Sequence, residues 1–451
     1  MKKLLMIFSF SPFLLSSFAQ VPSHKIIAGP LLGQVELRTA AIWIQVDSSV
    51  RKLAIKYWKH NDKDRSVTQA FNGELGMEFN PVTFQVGGLD MNTQYDYDFI
   101  VDEKTSGNIA SFKTKDLWQW RKPAPDFSFL TGSCAYFNEP AFDRPGKPYG
   151  GDSTIFETMA KFPAAFMLWL GDNWYTREPD FLSGWGLWYR ASRDRSLPVL
   201  RNFLKSMPQY AIWDDHDFGP DDSDGSYHLK DISRKIFMSY WPNPSYGENG
   251  KGIYTKVSYG DVDLFLTDDR YFRSANDLRD SIDGKPNPNK HFFGRTQLDW
   301  LKNALAYSEA PFKLIAIGSQ VLNPIHKEFE SLNRFSAEYT ELMDFLNAQR
   351  IDGVIFLTGD RHHSEVIKAD RPGNYALYDI TSSPLTSGVS KVSGIEVQNP
   401  ARVPGTLVEE RNFTRITVSG NKGERKIQVE FIGLHGATLA NWSVNERELK
   451  H

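Results

Sequence analysis

Ala165-Phe166-Met167-Leu168-Trp169-Leu170-Gly171-Asp172-Asn173-Trp174-Tyr175 is an unbroken apolar run that stops at a glycine followed by an acid. The run predicts a strand, and the Gly-Asp predicts its end. The same grammar recurs along the chain: apolar strands are predicted at 127–130, 210–213, 262–266, 313–317 and 354–357. Helical patterns lie between several of them. Thr154-Ile155-Phe156-Glu157 has the spacing of a capping box ahead of Met159 and Phe162. The segment 294–305 repeats apolar residues at helical intervals, and 336–350 predicts a further helix. Strand–helix alternation of this kind predicts an α/β architecture, in which ligands collect at the carboxyl ends of the strands.

Upstream, residues 25–114 carry short alternating strands with regular turn signals and no catalytic cluster, which predicts a small β-sandwich domain. Its Leu89…Thr93-Gln94-Tyr95-Asp96-Tyr97 run resembles the corner and strand of fibronectin III/Ig-like domains. Residues 117–125, with Pro123 and Pro125, read as a linker. The catalytic domain is expected over 126–445. It ends in strands at 413–418 and 426–432, joined by a Gly420-Asn421-Lys422-Gly423 hairpin loop.

The chain has 451 residues, 41% hydrophobic and 24% charged, with a formal net charge of -3. This is a globular composition, with no support for nucleic-acid or anionic-membrane binding. Aromatic residues are abundant and are read as core plus surface clusters; Trp185-Gly186-Leu187-Trp188-Tyr189 has a substrate cleft as its alternative. Lys2 and Lys3, an apolar stretch to about Leu15 and Ser17-Phe18-Ala19 make residues 1–19 a Sec-type signal peptide. The mature chain is therefore expected outside the cytoplasm, periplasmic or secreted, with no transmembrane segment.

The strand ends carry the chemistry. They deliver Cys134 with Tyr136, then Asp172, then Asp214-Asp215-His216-Asp217, then Ser319, Gln320 and Asn323, then Asp360 with His362. Cys134 is the sole cysteine, so in an exported chain it has no disulfide partner within the molecule. A buried inert thiol and a metal ligand are its two readings. Each Gly-Asp taken singly is also what a turn or a helix cap looks like. Together, so many carboxylates on one rim would repel one another without cations.

This constellation resembles the calcineurin-like metallophosphoesterase superfamily, and within it the PhoD-like (alkaline phosphatase D) branch. Cys134-x-Tyr136 stands where the superfamily has D-x-H, Asp214-Asp215-His216-Asp217 where it has G-N-H-D/E, and Gly359-Asp360-Arg361-His362 where it has G-H-x-H. Gly294, Gln297, Trp300 and Leu301 match the helix signature of the branch, and Asp268-Asp269-Arg270-Tyr271-Phe272-Arg273 fits it as well. The resemblance covers most of the mature chain. It implies a metallophosphoesterase-type α/β sandwich and a secreted, metal-dependent phosphoesterase acting on mono- or diesters through a metal-bound hydroxide.

Carried over residue by residue, it implies a two-metal centre bridged by Asp172. One metal, of ferric (Fe3+) type, takes Cys134, Tyr136, Asp172 and His362. The other, of calcium (Ca2+) type, takes Asp172, Asp215 and Asp360 with an amide from Gln320 or Asn323; Zn2+ or Mn2+ are the alternatives. Asp221, Asp222 and Asp224 either extend that shell or form a solvated acidic loop. His216, beside Asp217, is expected to protonate the leaving group, with metal ligation as its other role. Arg270 is either a phosphate clamp or a structural ion pair.

Branch members often carry twin-arginine signals, and this chain has Lys2-Lys3 instead, so it is expected to acquire metal after export; this leaves the identity of the ferric-type ion open. The competing class is a catalytically inactive calcium-binding surface or adhesion protein on the same fold.

Overall fold

We describe a computed structural model of the chain over residues 25–325 and 330–451. The expected signal peptide lies outside the described residues.

Two six-stranded sheets make up the larger part. The first runs Gln209–Ile212, Met167–Leu170, Phe127–Gly132, Asn412–Ser419, Lys426–Gly433 and Thr438–Asn445. Its first three strands are mutually parallel, and the Asn412–Ser419 strand joins them antiparallel. The second runs Thr255–Tyr259, Val262–Leu266, Phe312–Ala316, Val354–Thr358, Leu377–Thr381 and Glu365–Ala369. Its four middle strands are parallel, with an antiparallel strand at each edge.

The period-two rule of strands assigns the faces. In Met167–Leu170, Leu168 and Leu170 enter the core shared with the second sheet. Met167 and Trp169 enter a different core, beneath helices Ile155–Met159, Gly184–Arg195, Pro198–Ser206 and Lys230–Tyr240. Helices Gly294–Tyr307 and Ser336–Ala348 join the shared core through Leu298, Leu301, Leu305, Leu342 and Leu346. Glu338 of the latter caps the former, accepting from the amides of Phe292 (3.0 Å), Phe293 (2.7 Å) and Gly294 (3.1 Å). Gln297 ties that helix to the acidic motif: it accepts from the Asp268 N–H (2.7 Å) and donates to its carbonyl (2.6 Å). The expected capping box at Thr154 does not form. Thr154 has helical backbone (φ -63°), and its side chain accepts no capping bond, because a cap needs the extended conformation.

Residues 26–113 fold as antiparallel sheets, Ile26–Val35/Ala40–Val46/Asn80–Val86 facing a second built on Leu53–Lys59 and Gln94–Val101. They enclose a core of their own, with Ile42, Ile44, Ile55, Phe84, Tyr97 and Phe99 inside. The outer face of the first sheet is not free, however. Ala28, Leu31 and Trp43 belong to the helix-side core of the larger part. Trp43 Nε1 donates to the Ser239 carbonyl (2.7 Å), and Gln45 Nε2 donates to Ser192 Oγ (2.7 Å). A Cβ at Gly33 would lie 2.5 Å from Pro242, so glycine permits the approach. The sandwich therefore closes a hydrophobic core rather than hanging from a linker.

Trp43→Ala is accordingly expected to destabilise both parts together by about 3–5 kcal/mol. Denaturant unfolding followed by far-UV circular dichroism and by tryptophan fluorescence checks it. A sandwich that melts alone, leaving the larger part at its wild-type midpoint, contradicts it.

Candidate metal centre

Parallel pairing brings the strand ends to one rim. Cys134 follows Phe127–Gly132, Asp172 follows Met167–Leu170, Asp215 and His216 follow Gln209–Ile212, and Asp360 and His362 follow Val354–Thr358. The chain leaves these strands abruptly. Cys134 (φ 62°), Asp172 (φ 52°), Asp360 (φ 65°) and His362 (φ 57°) all adopt left-handed backbone. For a residue other than glycine this conformation costs about 1–3 kcal/mol and concentrates at functional sites. Gly171 (φ 89°) makes the turn before Asp172 possible, since a Cβ there would lie 2.6 Å from that of Asp214.

Two groups of potential ligand atoms form on this rim, each within 4.8 Å of one another: Cys134, Asp172 and His362, and Asp172, Asp215 and His216. Asp172 is common to both. Its Oδ2 accepts from the Tyr175 hydroxyl (2.9 Å) and lies 3.6 Å from Cys134 Sγ. Its Oδ1 is buried with no hydrogen-bond partner among the described residues. A buried carboxylate oxygen left without a donor is costly unless a cation takes it. The donors fit that role: sulfur, phenol and imidazole on one side of Asp172, the Asp215 carboxylate and the His216 imidazole on the other. A third group, Asp215, Asp222 and Glu330, continues from Asp215.

The electrostatics agree. Burial, then the charges of Cys134, Asp215, Asp217 and Asp360, raise Asp172 well above the usual carboxylate range. Asp360 is pushed up to about 7 by burial and by Glu330 and Asp215. Burial lifts the Cys134 thiol to about 11. His216 and His362 are both lowered, by burial first. These shifts disfavour the charged forms, with burial as the first cause in each, while Asp215 is lowered because, against burial, His216 and Arg270 favour its anion.

Several expected residues sit elsewhere. The Tyr136 hydroxyl donates to Asp143 Oδ1 (2.7 Å), with the Arg177 guanidinium 4.1 Å from its ring centre. Residues i and i+2 share a face only in a continuing strand, and the left-handed turn at Cys134 ends that alternation. Two other phenols reach the group: Tyr175, whose oxygen lies 2.9 Å from Asp172 Oδ2 and 3.2 Å from His362 Nε2, and Tyr149, whose hydroxyl lies 2.9 Å from His362 Nδ1. The signal for Tyr175 was the phenol three residues after Asp172 in Gly171-Asp172-Asn173-Trp174-Tyr175.

Gln320 also faces away from the rim. Its amide nitrogen donates to Glu365 Oε1 (2.9 Å) and Thr381 Oγ1 (2.8 Å), and its oxygen accepts from Arg361 and from Asn323 (2.9 Å). Arg270 is wholly buried and forms the structural ion pair: Nε donates to Asp214 Oδ1 (2.7 Å), and Nη1 to Glu330 Oε1 (3.1 Å) and the Ser223 carbonyl (3.2 Å). Its donors are spent on the protein rather than held for a phosphate.

Asp217 accepts from the amides of Asn173 (2.9 Å) and Asp214 (3.0 Å), closing a capping box on the short helix Asp215–Phe218. Adjacent helical residues do not face each other. The carboxylate beside the His216 ring is Asp221, 3.4 Å from Nε2, and Tyr175 lies against the ring with centroids 4.1 Å apart. Of the acidic loop, Asp222 donates its amide to Asp215 Oδ2 (2.7 Å), while Asp224 Oδ1 accepts from the Ser226 amide. Trp185 to Tyr189 lie on the helix Gly184–Arg195, with Leu187 in the core and Trp185 largely exposed.

Comparison with known proteins gives the same frame. The sequence signature described as PhoD-like phosphatase matches residues 129–431. Alkaline phosphatase D of Bacillus subtilis (strain 168) is 23% identical over 331 residues, 63% of this chain and 53% of that protein. The match thus spans about half the length of that relative. A solved structure titled "Structure of PhoD" superposes with a TM-score of 0.77 at 18% identity, over 95% of this chain and 92% of the other. At that identity the superposition speaks to the fold, whose two mixed sheets and N-terminal sandwich it shares. With the signature matched over most of the chain, this protein belongs to the PhoD-like phosphatase family.

Proposed function

We propose that the protein is an extracytoplasmic phosphoesterase that uses a two-cation centre bridged by Asp172. The observation that carries this reading is the position of Asp172 in both ligand groups, with a buried oxygen that no donor among the described residues meets. Cys134, Tyr175 and His362 would hold a ferric-type ion on one side; Asp215 and Asp360 would hold a calcium-type ion on the other. When bound, such a pair activates water and neutralises phosphoryl oxygens.

The side chains divide the remaining work. Asp214, locked by Arg270, starts the turn that presents Asp215 and His216. His216 Nε2 faces Asp221, which favours its protonated form against the effect of burial. This pairing supports the reading of His216 as the group that gives a proton to a departing alkoxide. Export rests on the sequence pattern of residues 1–19, and no helix among the described residues is long and apolar enough to cross a membrane.

A proton donor matters most for poor leaving groups. His216→Asn is expected to lower turnover of alkyl phosphates by roughly 10²–10⁴-fold and of nitrophenyl esters far less, with metal content kept. Equal losses on both, with a metal lost, make His216 a ligand instead.

Tyr175→Phe should weaken metal retention against a chelator by at least about tenfold, while Tyr136→Phe leaves it near wild type. The reverse ranking returns the phenolate role to Tyr136.

The thiol at about 11 and the Asp360 carboxyl at about 7 are protonated below those values, so a cation must displace their protons. Retention should therefore rise with pH, by up to about tenfold per unit for each proton displaced, and fall in acid. Competition with a chelator across pH 5–9, corrected for the chelator's own titration, measures it. Cys134→Ser should flatten the slope; an unchanged slope removes Cys134 from the ligand set.

A further inference from the structure

Ser383 stands just past the strand Leu377–Thr381 and is fully buried. Its backbone is fixed on both sides. The N–H donates to Ser364 Oγ (2.9 Å), and the carbonyl accepts from Ser364 Oγ (2.9 Å) and Asn412 Nδ2 (3.1 Å). The hydroxyl it presents meets two residues of the rim. It accepts from the His362 amide (3.0 Å) and donates to Cys134 Sγ (3.2 Å). Both neighbours have left-handed backbone, so this hydroxyl joins two turned segments of the rim.

We propose that Ser383 is a positioning residue that sets the donor strength of the Cys134 sulfur toward its cation. This rests on the two-cation reading above. A hydrogen bond to a coordinating thiolate lowers the energy of its filled orbitals, and residues behind the ligands tune a site in this way. Ser133 is the natural comparison. Its oxygen also lies 3.3 Å from Cys134 Sγ, but it has a competing acceptor in the Ser382 carbonyl at 2.9 Å. Among the described residues, the Ser383 hydroxyl proton has no acceptor besides the sulfur.

Divalent cobalt, added to the metal-free full-length mature protein, is the probe, because a cobalt–thiolate bond gives a near-ultraviolet sulfur-to-cobalt charge-transfer band. Losing the hydrogen bond raises the sulfur orbitals, so Ser383→Ala should move the band to longer wavelength. Ser133→Ala should move it less, and Ser383→Thr, which keeps the hydroxyl, should return it toward wild type. A band that Ser383→Ala leaves in place, or that Ser133→Ala shifts as far, overturns the role of Ser383 and leaves the metal site standing. Absence of the band from the wild type, where cobalt binds without sulfur or not at all, overturns the ligation of Cys134 and with it this inference.

Discussion

Mutual repulsion among buried anions is the constraint on which the rest of this structure depends. Asp172 and Asp215 meet Cys134 at strand ends of the first sheet, Asp360 follows a strand of the second, and Asp172 and Asp360 are held above the usual carboxylate range. A fold left to optimise stability alone would not gather them. Hydrophobic burial elsewhere has to sustain the arrangement, and the two large cores and the docked sandwich supply it. Cations between the acids would turn the same repulsion into attraction, which makes the site's instability the complement of its affinity.

The architecture delivers that constraint economically. Parallel strands carry no chemistry of their own; they fix where the chain stops. Left-handed turns at Cys134, Asp172, Asp360 and His362 then aim side chains inward. Behind this layer stand residues that touch nothing reactive. Arg270 neutralises Asp214 and Glu330 so that Asp215 is free to face Asp172. Gly318 lets these acids approach, since a Cβ there would lie 2.4 Å from Asp269 Oδ2 and 2.6 Å from Asp214 Cγ.

How much of this was legible in the sequence follows from the range over which each signal acts. Apolar runs such as 165–170 and 262–266 are local, and they recover the strands and the rim. Cys134, Asp172, Asp215 and His362 were nameable because each sits immediately after such a run. Side-chain direction was not legible. Tyr136 is named through the match of Cys134-x-Tyr136 to D-x-H, but its hydroxyl turns to Asp143 after the left-handed turn at Cys134, while Tyr175 lay in plain view. Gln320 and Asp217 were misplaced for a related reason: their partners, Glu365 and the Asn173 amide, come from distant segments. The docking of the sandwich was hidden too, because Trp43 on an alternating strand looks the same facing solvent or a second core.

The central claim is that Asp172 is shared by two cations. Crystals of the metal-reconstituted mature protein, measured by anomalous diffraction on either side of each metal's absorption edge, test it directly. The account predicts two peaks about 3.5–4 Å apart with the Asp172 carboxylate between them, one bonded to Cys134 and the other to Asp215. A single peak, or two peaks that leave Asp172 bound to only one cation, would contradict it.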